Sequence, residues 1–369
     1  MTRVMNFAAG PAALPQSVLE AARDELLDFQ GTGKSILETS HRSPEYDAVH
    51  EGAQQLVKKL LGVGDDYHVL FMGGGASAQF VLVPLNLLGD GERGEYVVTG
   101  SWAKKAYKEA VTVAKTSGGS AHVAATTEQD GRFTRIPEPQ SWDVAEDAAY
   151  VHITSNNTIS GTQFALYKGI PECAAPLVAD MSSDILSYEF DAKKLSLIYA
   201  GAQKNLGPAG VTLVVIRQDM LDRARADLPT AFNYQLQAKG KSLANTPPCY
   251  AIYMLGKVLG WIEEQGGVGA VQKVNEAKGA LIYGALDELS DFYRAPVAKD
   301  SRSLMNVVFR LPSEALEKRF IADATERGMI GIKGHRSVGG IRVSTYNAVP
   351  LAWVEAVVSF MREFAKANG

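Results

Sequence analysis

The stretch LIYAGAQKNLGPAGVTLVVI, residues 197–216, holds two apolar runs separated by a turn rich in glycine and proline. The runs, Leu197–Ala200 and Val211–Ile216, are continuous rather than alternating in polarity, which is typical of strands covered by helices on both faces. A lysine, Lys204, follows the first run almost directly. Ligands of open α/β sheets bind beyond the carboxyl ends of the strands, so Lys204 lies where a functional group is expected.

Five similar apolar runs precede this stretch and alternate with helical patterns such as Gln79–Leu88 and Ser101–Val113. The five runs are Tyr67–Met72, Glu95–Thr99, Ala121–Ala125, Ala149–Ile153 and Leu177–Asp180. Alternation of buried strands with helices predicts an α/β fold with a mostly parallel, doubly wound sheet. Ahead of the sheet, Pro15–Phe29 and the segment opened by Ser43-Pro44 have helical patterns.

A second, smaller α/β domain is predicted after the sheet. Tyr250–Glu264 and Gly267–Leu289 have the patterns of long helices. Four further elements, a strand, a helix, a strand and a helix, are predicted at Met305–Arg310, Ser313–Gly328, Gly340–Tyr346 and Leu351–Lys366. We therefore expect a large domain over residues 1–265 and a small C-terminal domain over residues 266–369.

Composition narrows the class of protein. The 369 residues are 46% hydrophobic and 21% charged, and the net charge of −4 argues against nucleic acid or an anionic membrane as the main partner. Cys173 and Cys249 form no metal or redox motif, and the six histidines show no ligand spacing, so no metal is expected. Met1–Gly10 lacks a signal-peptide pattern, and no run reaches the roughly 18 apolar residues of a membrane span. We expect a cytoplasmic protein.

A functional role for Lys204 is supported by Asp180, a carboxylate at the end of another apolar run. A lysine at a strand end loses hydration, which lowers its pKa and frees a nucleophilic amine. Asp180 is suited to keep the pyridine nitrogen of pyridoxal 5′-phosphate (PLP) protonated, so that the ring can accept electrons. The alternatives are a solvated lysine past a strand and an aspartate that only caps a helix.

Three further features are compatible with this cofactor. Gly73-Gly74-Gly75-Ala76-Ser77 follows a strand and opens a helix, which favours a phosphate cradle of backbone amides, although a triple glycine can be only a turn. It is neither a dinucleotide fingerprint nor a Walker loop. Trp102 is placed to stack on a planar ring or to pack in the core. Thr158 lies in a polar loop from which its hydroxyl can reach the cofactor's phenolic oxygen.

Two histidine–arginine pairs, His41-Arg42 and His335-Arg336, have the chemistry to bind a substrate with two anionic ends. Arginine pairs bidentately with carboxylate or phosphate, and histidine adds a donor that titrates near neutral pH. The first pair lies early in the chain and the second in the small domain, so an anion bound by both would bring the domains together. The alternative is two basic dipeptides on the surface.

Six segments of the chain occur in the same order as in a known family. They are Phe7-Ala8-Ala9-Gly10-Pro11-Ala12, Ser40-His41-Arg42-Ser43, Gly73-Gly74-Gly75, Gly201-Ala202-Gln203-Lys204-Asn205, Asn245-Thr246-Pro247-Pro248 and Lys333-Gly334-His335-Arg336. Together they closely resemble the phosphoserine aminotransferases, and the resemblance runs from the first residues to the last helix. It implies a fold type I PLP enzyme of class V that works as a homodimer.

The resemblance also implies a reaction and roles for individual residues. The reaction is reversible amino transfer between L-glutamate and 3-phosphohydroxypyruvate, giving 2-oxoglutarate and O-phospho-L-serine for serine biosynthesis. Lys204 would form the Schiff base, Asp180 would pair with the pyridine nitrogen, Trp102 would stack on the ring and Thr158 would hydrogen-bond it. The phosphate would be lined by Ala76, Ser77 and Gln203, with Asn245 and Thr246 from the partner subunit, while Arg42 would hold the substrate carboxylate.

Two departures from the family pattern and several rival functions remain open at this point. Many relatives carry arginine where this chain has Ser77, and a serine pair where it has Ala8-Ala9. A class V transaminase for a non-phosphorylated acid, a cysteine desulfurase and a PLP-fold module without turnover are the alternatives. The sequence does not rank phosphohydroxypyruvate against the phosphorylated keto acid of pyridoxine biosynthesis.

Overall fold

The structure is a computed structural model that describes residues 3–369, and within them it has ten α-helices and thirteen β-strands. Met1 and Thr2, where the segment considered for a signal peptide begins, lie outside the described residues. The helices are α1 Gln16–Asp24, α2 Pro44–Leu61, α3 Gly75–Leu87, α4 Ser101–Ser117, α5 Gln218–Arg223, α6 Tyr234–Lys239, α7 Cys249–Glu264, α8 Val268–Glu288, α9 Glu314–Glu326 and α10 Leu351–Asn368. The strands are β1 Met5–Asn6, β2 Tyr67–Met72, β3 Arg93–Val98, β4 Ser120–Thr126, β5 Tyr150–Thr154, β6 Asn156–Asn157, β7 Thr162–Gln163, β8 Leu177–Asp180, β9 Leu197–Gly201, β10 Thr212–Arg217, β11 Asn306–Phe309, β12 Met329–Ile330 and β13 Ile341–Ser344.

Seven strands form the central sheet in the order β2-β10-β9-β8-β5-β3-β4. β10 runs antiparallel to both of its neighbours, and the other pairs are parallel. Alternate residues pack on opposite faces: Val69 joins a cluster with residues of α2 and α7, and Leu70 joins one with residues of α3 and α4. Helices thus cover both faces, and the predicted mostly parallel, doubly wound sheet is confirmed.

The last third of the chain packs around α8, α9 and α10 against the antiparallel pair of β11 and β13. The predicted boundary near residue 265 falls in the turn between α7 and α8, and the division into two domains stays a prediction. β1 pairs in parallel with β12, so the start of the chain is bound to this C-terminal part. Sequence analysis missed both strands because two residues are too few to show a period.

The first helix is shorter than predicted. It ends at Asp24 rather than at Phe29, and Phe29 instead lies in a 3₁₀ turn. There its ring is buried edge-on against Tyr253, with the centroids 5.8 Å apart. Leu27, which would belong to the helix if it continued to Phe29, is 85% exposed. Burial of one aromatic ring therefore decides where the helix stops.

Lys278 in α8 is fully buried and ties this helix to the loop after β13. Its ammonium donates to the carbonyls of Thr345 (2.9 Å), Tyr346 (2.9 Å) and Val349 (3.2 Å). Three acceptors match the three donors of a lysine side chain. The bonds fix the loop that connects β13 to α10.

We predict that Lys278→Met lowers the free energy of unfolding by about 2–4 kcal/mol, because buried carbonyls lose their donor. Chemical denaturation monitored by circular dichroism measures the change. The matched control is Lys273→Met on the same helix, where the side chain is exposed, and it should change stability little. Equal effects of the two substitutions would contradict the proposed importance of the buried bonds.

Candidate active site

A pocket of about 400 Å³ lies at the carboxyl ends of β5, β8 and β9, where the sheet topology predicts a ligand site. Its lining includes the residues that the sequence singled out around Lys204 and the glycine-rich segment. Among the lining residues are Gly75, Ala76, Ser77, Trp102, Thr154, Thr158, Asp180, Gln203, Lys204, His335 and Arg342. The pocket thus combines a lysine, a carboxylate, an aromatic ring and two further basic groups.

Lys204 follows β9 by three residues and points into this pocket. Its amine is 6.0 Å from the centre of the Trp102 ring. Burial lowers the pKa of Lys204, while the carboxylates of Asp180 and Asp184 raise it in part. A lowered pKa increases the fraction of neutral amine at neutral pH, which is the form that acts as nucleophile or base.

Asp180 ends β8 and is nearly fully buried. One oxygen, Oδ1, accepts from the amide (3.0 Å) and the hydroxyl (2.6 Å) of Ser182. The same hydroxyl accepts from the amide of Gly201 at 3.0 Å, so one serine joins the carboxylate to the end of β9. Burial raises the pKa of Asp180, and the amine of Lys204 together with Ser182 opposes that rise. A cationic ring nitrogen would stabilise the charged carboxylate here.

The glycine-rich segment, predicted to cradle an anion, opens a helix at the wall of the pocket. α3 begins at Gly75, and its N-cap, Gly74, has a left-handed φ of 85° and no side-chain cap. A Cβ on Gly74 would fall 2.5 Å from the Cβ of Ala78, so this turn requires glycine. The first-turn residues Ala76 and Ser77 line the pocket. Their backbone amides and the positive end of the helix favour a phosphate.

Trp102 and Thr158 are held together at the pocket wall. The indole Nε1 donates to the threonine Oγ1 at 2.9 Å, which leaves the threonine proton free to donate elsewhere. Thr158 is 3% exposed, and its carbonyl accepts from Nη1 of Arg342 at 3.0 Å. The two side chains predicted to contact a cofactor are therefore positioned by each other.

Some residues were predicted to bind the substrate, and others to reach the cofactor phosphate from a second subunit. By position in the structure these residues fall into two groups. His335 lines the pocket. Arg336, Arg42, Asn245 and Thr246 are exposed, and His41 is partly exposed; these five residues lie outside the lining of their own chain's pocket. Their predicted roles therefore depend on movement of their segments or on a second copy of the chain.

Arg342 is a pocket residue that the sequence analysis did not single out. It lies in β13, is partly buried, and its Nε has no partner among residues 3–369. Burial lowers its pKa because the charged form is poorly hydrated there, and an anion in the pocket would stabilise that charge. An arginine inside the apolar strand pattern Gly340–Tyr346 was the available signal.

A second buried carboxylate, Asp184, was also missed. It accepts from the hydroxyl of Tyr188 (2.7 Å), from Nε2 of Gln163 (3.0 Å) and from the hydroxyl of Ser155. Burial raises its pKa to about 6, and these donors oppose the rise. Asp184 adds negative potential to that of Asp180, and both raise the pKa of Lys204. Its position four residues after Asp180 gave no pattern that points to a site.

Solved structures resemble the chain over nearly its whole length. Phosphoserine aminotransferase from Bacillus circulans subsp. alkalophilus is 50% identical with a TM-score of 0.95, covering 100% of this chain and 99% of that one. The PLP-bound phosphoserine aminotransferase from Trichomonas vaginalis is 36% identical with a TM-score of 0.92, covering 98% and 100%. The pocket fits such a cofactor, because it offers an amine, a buried carboxylate with one oxygen bound by Ser182, and a helix N-terminus without a side-chain cap. The fold is the fold type I arrangement of PLP transferases.

Sequence comparison gives the same result. A curated phosphoserine aminotransferase from Geobacillus kaustophilus is 54% identical over 366 residues, which cover 99% of each chain. The family model "Aminotransferase class-V" matches residues 4–357. The chain therefore belongs to the class V aminotransferase family.

Proposed function

We propose that the chain is a PLP-dependent phosphoserine aminotransferase. It transfers the amino group of L-glutamate to 3-phosphohydroxypyruvate and so forms 2-oxoglutarate and O-phospho-L-serine. The observation that carries the proposal is one pocket in which Lys204 and Asp180 lie beside an uncapped helix N-terminus and two basic side chains, His335 and Arg342. The names of the relatives that are 54% and 50% identical support the choice of substrate.

Seven residues of this chain hold the cofactor in the proposal. Lys204 would bind it covalently, Asp180 would hold the proton on its ring nitrogen, Trp102 would stack on its ring and Thr158 would donate to its phenolic oxygen. The phosphate is bound by Ala76, Ser77 and Gln203. When bound, PLP withdraws electrons from the substrate Cα and so makes the proton on that carbon acidic.

Lys204 is the base of the reaction as well as the attachment point. Its amine, freed when an amino acid binds, accepts the proton from the substrate Cα. The lowered pKa caused by burial keeps this amine neutral in a larger fraction of molecules. Asp180 and Asp184 limit the lowering, because their negative charge favours the protonated amine.

The basic groups bind the two anionic ends of the substrate. Arg342 is fixed by its bond to the Thr158 carbonyl and lies in the pocket, so it contacts the α-carboxylate that every amino acid substrate carries. His335 and Arg336 bind the distal phosphate or the γ-carboxylate of glutamate. The family resemblance implies that Arg42 holds the substrate carboxylate. Because Arg42 lies outside its own chain's pocket and Arg342 lines it, we assign the α-carboxylate to Arg342, and His41 and Arg42 reach the distal group from a neighbouring subunit.

We further propose a homodimer in the cytoplasm, with each site completed by the partner subunit. Asn245 and Thr246 are exposed and lie outside their own pocket, just before two prolines that restrict the segment to an extended path. In a two-fold dimer such a segment from one chain can reach the phosphate cradle of the other. The two cysteines, Cys173 and Cys249, are unpaired, which suits a reducing compartment.

The attachment of the cofactor has a direct test. Borohydride reduction followed by peptide mass analysis should place the cofactor on Lys204, and glutamate should change the absorbance spectrum of the protein before reduction. Lys204→Ala should bind the cofactor only non-covalently and show no turnover with glutamate. A label on another lysine would overturn the assignment.

Substitutions of Arg336 and Arg342 are expected to have different effects on the preference between phosphorylated and non-phosphorylated substrates. We predict that Arg336→Ala lowers kcat/KM for O-phospho-L-serine far more than for L-serine, by about 2–4 kcal/mol of transition-state stabilisation. Arg342→Lys should lower both values alike, because both substrates carry the α-carboxylate. Steady-state kinetics of the two variants with the two substrates measure this. Equal losses for Arg336→Ala would show that Arg336 does not bind the phosphate.

The shared site is tested by complementation. One variant carries Lys204→Ala and the other carries Asn245→Leu with Thr246→Phe, and each homodimer should be nearly inactive. Mixed dimers contain one intact site, so random refolding of an equal mixture should restore about one quarter of wild-type activity. Mixed dimers without activity would show that Asn245 and Thr246 serve their own chain.

A further inference from the structure

Residues 332–342 form a hairpin that carries two of the basic groups of the pocket. Its strands are joined at Lys333 and Ile341, which form a β-bridge. Its turn is closed by the amide of Gly339, which donates to the carbonyl of His335 at 2.8 Å. His335 lies at the start of this turn and Arg342 at the end of the hairpin. The direction of both basic side chains therefore depends on the conformation of one short segment.

An ion pair with little exposure lies behind this hairpin. Arg310 follows β11, and Glu317 belongs to the first turn of α9; their side chains are 32% and 8% exposed. Nε of Arg310 donates to Oε1 of Glu317 at 2.6 Å. Nη1 of Arg310 also donates to the carbonyl of Val338 at 2.9 Å, and Oε2 of Glu317 accepts from the amide of Gly340 at 3.2 Å. Both members of the pair thus bind the backbone of the hairpin.

The backbone of the hairpin is shaped to lie on Arg310. Gly339 and Gly340 have left-handed φ values of 68° and 74°. A Cβ on Gly340 would fall 2.6 Å from Cδ of Arg310 and 2.8 Å from the carbonyl oxygen of Phe309. Glycine therefore allows the close approach at which the carbonyl and the amide reach the ion pair.

The pair is less exposed than the Arg327–Glu363 pair of the same part of the chain. Arg327 and Glu363 are also 2.6 Å apart, but their side chains are 48% and 55% exposed. An exposed pair contributes little to stability, whereas loss of one partner of a mostly buried pair leaves a costly unpaired charge.

We propose that Arg310 and Glu317 are positioning residues that hold the hairpin so that His335 and Arg342 face the anionic ends of the substrate. The pair touches neither the substrate nor the cofactor and acts only through the hairpin. This inference rests on the proposed function. Breaking the pair raises KM for the phosphorylated substrate and leaves kcat at saturation nearly unchanged, because Lys204 and Asp180 stand on other elements.

The experiment uses the full-length holoenzyme with Glu317→Gln, Arg310→Lys and the control Arg327→Met. Hydrogen exchange without substrate should accelerate about tenfold in the peptide that covers residues 332–342 of Glu317→Gln, because the amide of Gly340 loses its charged acceptor. KM for O-phospho-L-serine should rise about tenfold, with kcat within about twofold of wild type. Arg310→Lys keeps the charge but loses the fork that binds Glu317 and Val338 together, so we expect a smaller rise. The control should change neither quantity.

Three outcomes overturn the inference alone. Exchange at the wild-type rate in both pair variants would show that the pair does not hold the hairpin. Faster exchange with unchanged KM, or a fall in kcat with unchanged KM, would show that the hairpin's position does not govern substrate binding. Thermal unfolding shows whether a variant has lost its fold. If Glu317→Gln has lost it, the same exchange and KM measurements on Arg310→Lys, which keeps the charge of the pair, decide whether the inference holds. Failure of the proposed function gives a different result, because the wild-type protein itself would then show no amino transfer from O-phospho-L-serine. That result would overturn the inference as well.

Discussion

The parallel pairing of β8 with β9 is the constraint on which the site depends. It sets Asp180 opposite Tyr199, so that the carboxylate and the segment leading to Lys204 emerge at the same edge of the sheet. The hydroxyl of Ser182 then bonds both Asp180 and the amide of Gly201, which prevents the two strand ends from sliding apart. A one-residue slip of either strand would turn its side chains to the opposite face and separate the carboxylate from the lysine.

Buried polar groups extend this constraint toward the C-terminal part of the chain. Asn205, the neighbour of Lys204, accepts from the amide of Asn347 at 3.1 Å. Asn347 donates to the carbonyl of Leu186 at 2.9 Å and accepts from Asn275 at 2.9 Å. Each of these groups would be costly to bury without its partner, so the loop after β13 is fixed against the segment that carries the lysine. The loop bound by Lys278 is the same one, and stability and site geometry are therefore coupled there.

The sequence was sufficient to predict those features of the fold and the site that show in a local pattern of residues. Continuous apolar runs predicted all seven strands of the central sheet, and glycines before a helix pointed to Ala76 and Ser77, which line the pocket. Lys204 and Asp180 stood out because Asp180 ends, and Lys204 closely follows, a strand that is buried on both sides. By contrast, Asp184 and Arg342 are defined by partners distant along the chain, such as Gln163 and Thr158, and no local period reports such contacts. The early end of α1 has the same cause, since Phe29 packs against Tyr253, more than two hundred residues later.

The distribution of the basic groups fits an enzyme that must accept two different substrates in one pocket. Glutamate and phosphoserine share an α-amino group and an α-carboxylate, and they differ in the length and charge of the distal group. Arg342 is partly buried and fixed to a backbone carbonyl, so it suits the part that never changes. Arg336 and Arg42 are exposed and lie in turns, where a long side chain can follow either a carboxylate or a phosphate at a small energetic cost. A rigid group for the common end and adaptable groups for the variable end are what dual specificity requires, because a fixed cation at the distal position would leave one of the two substrates poorly paired.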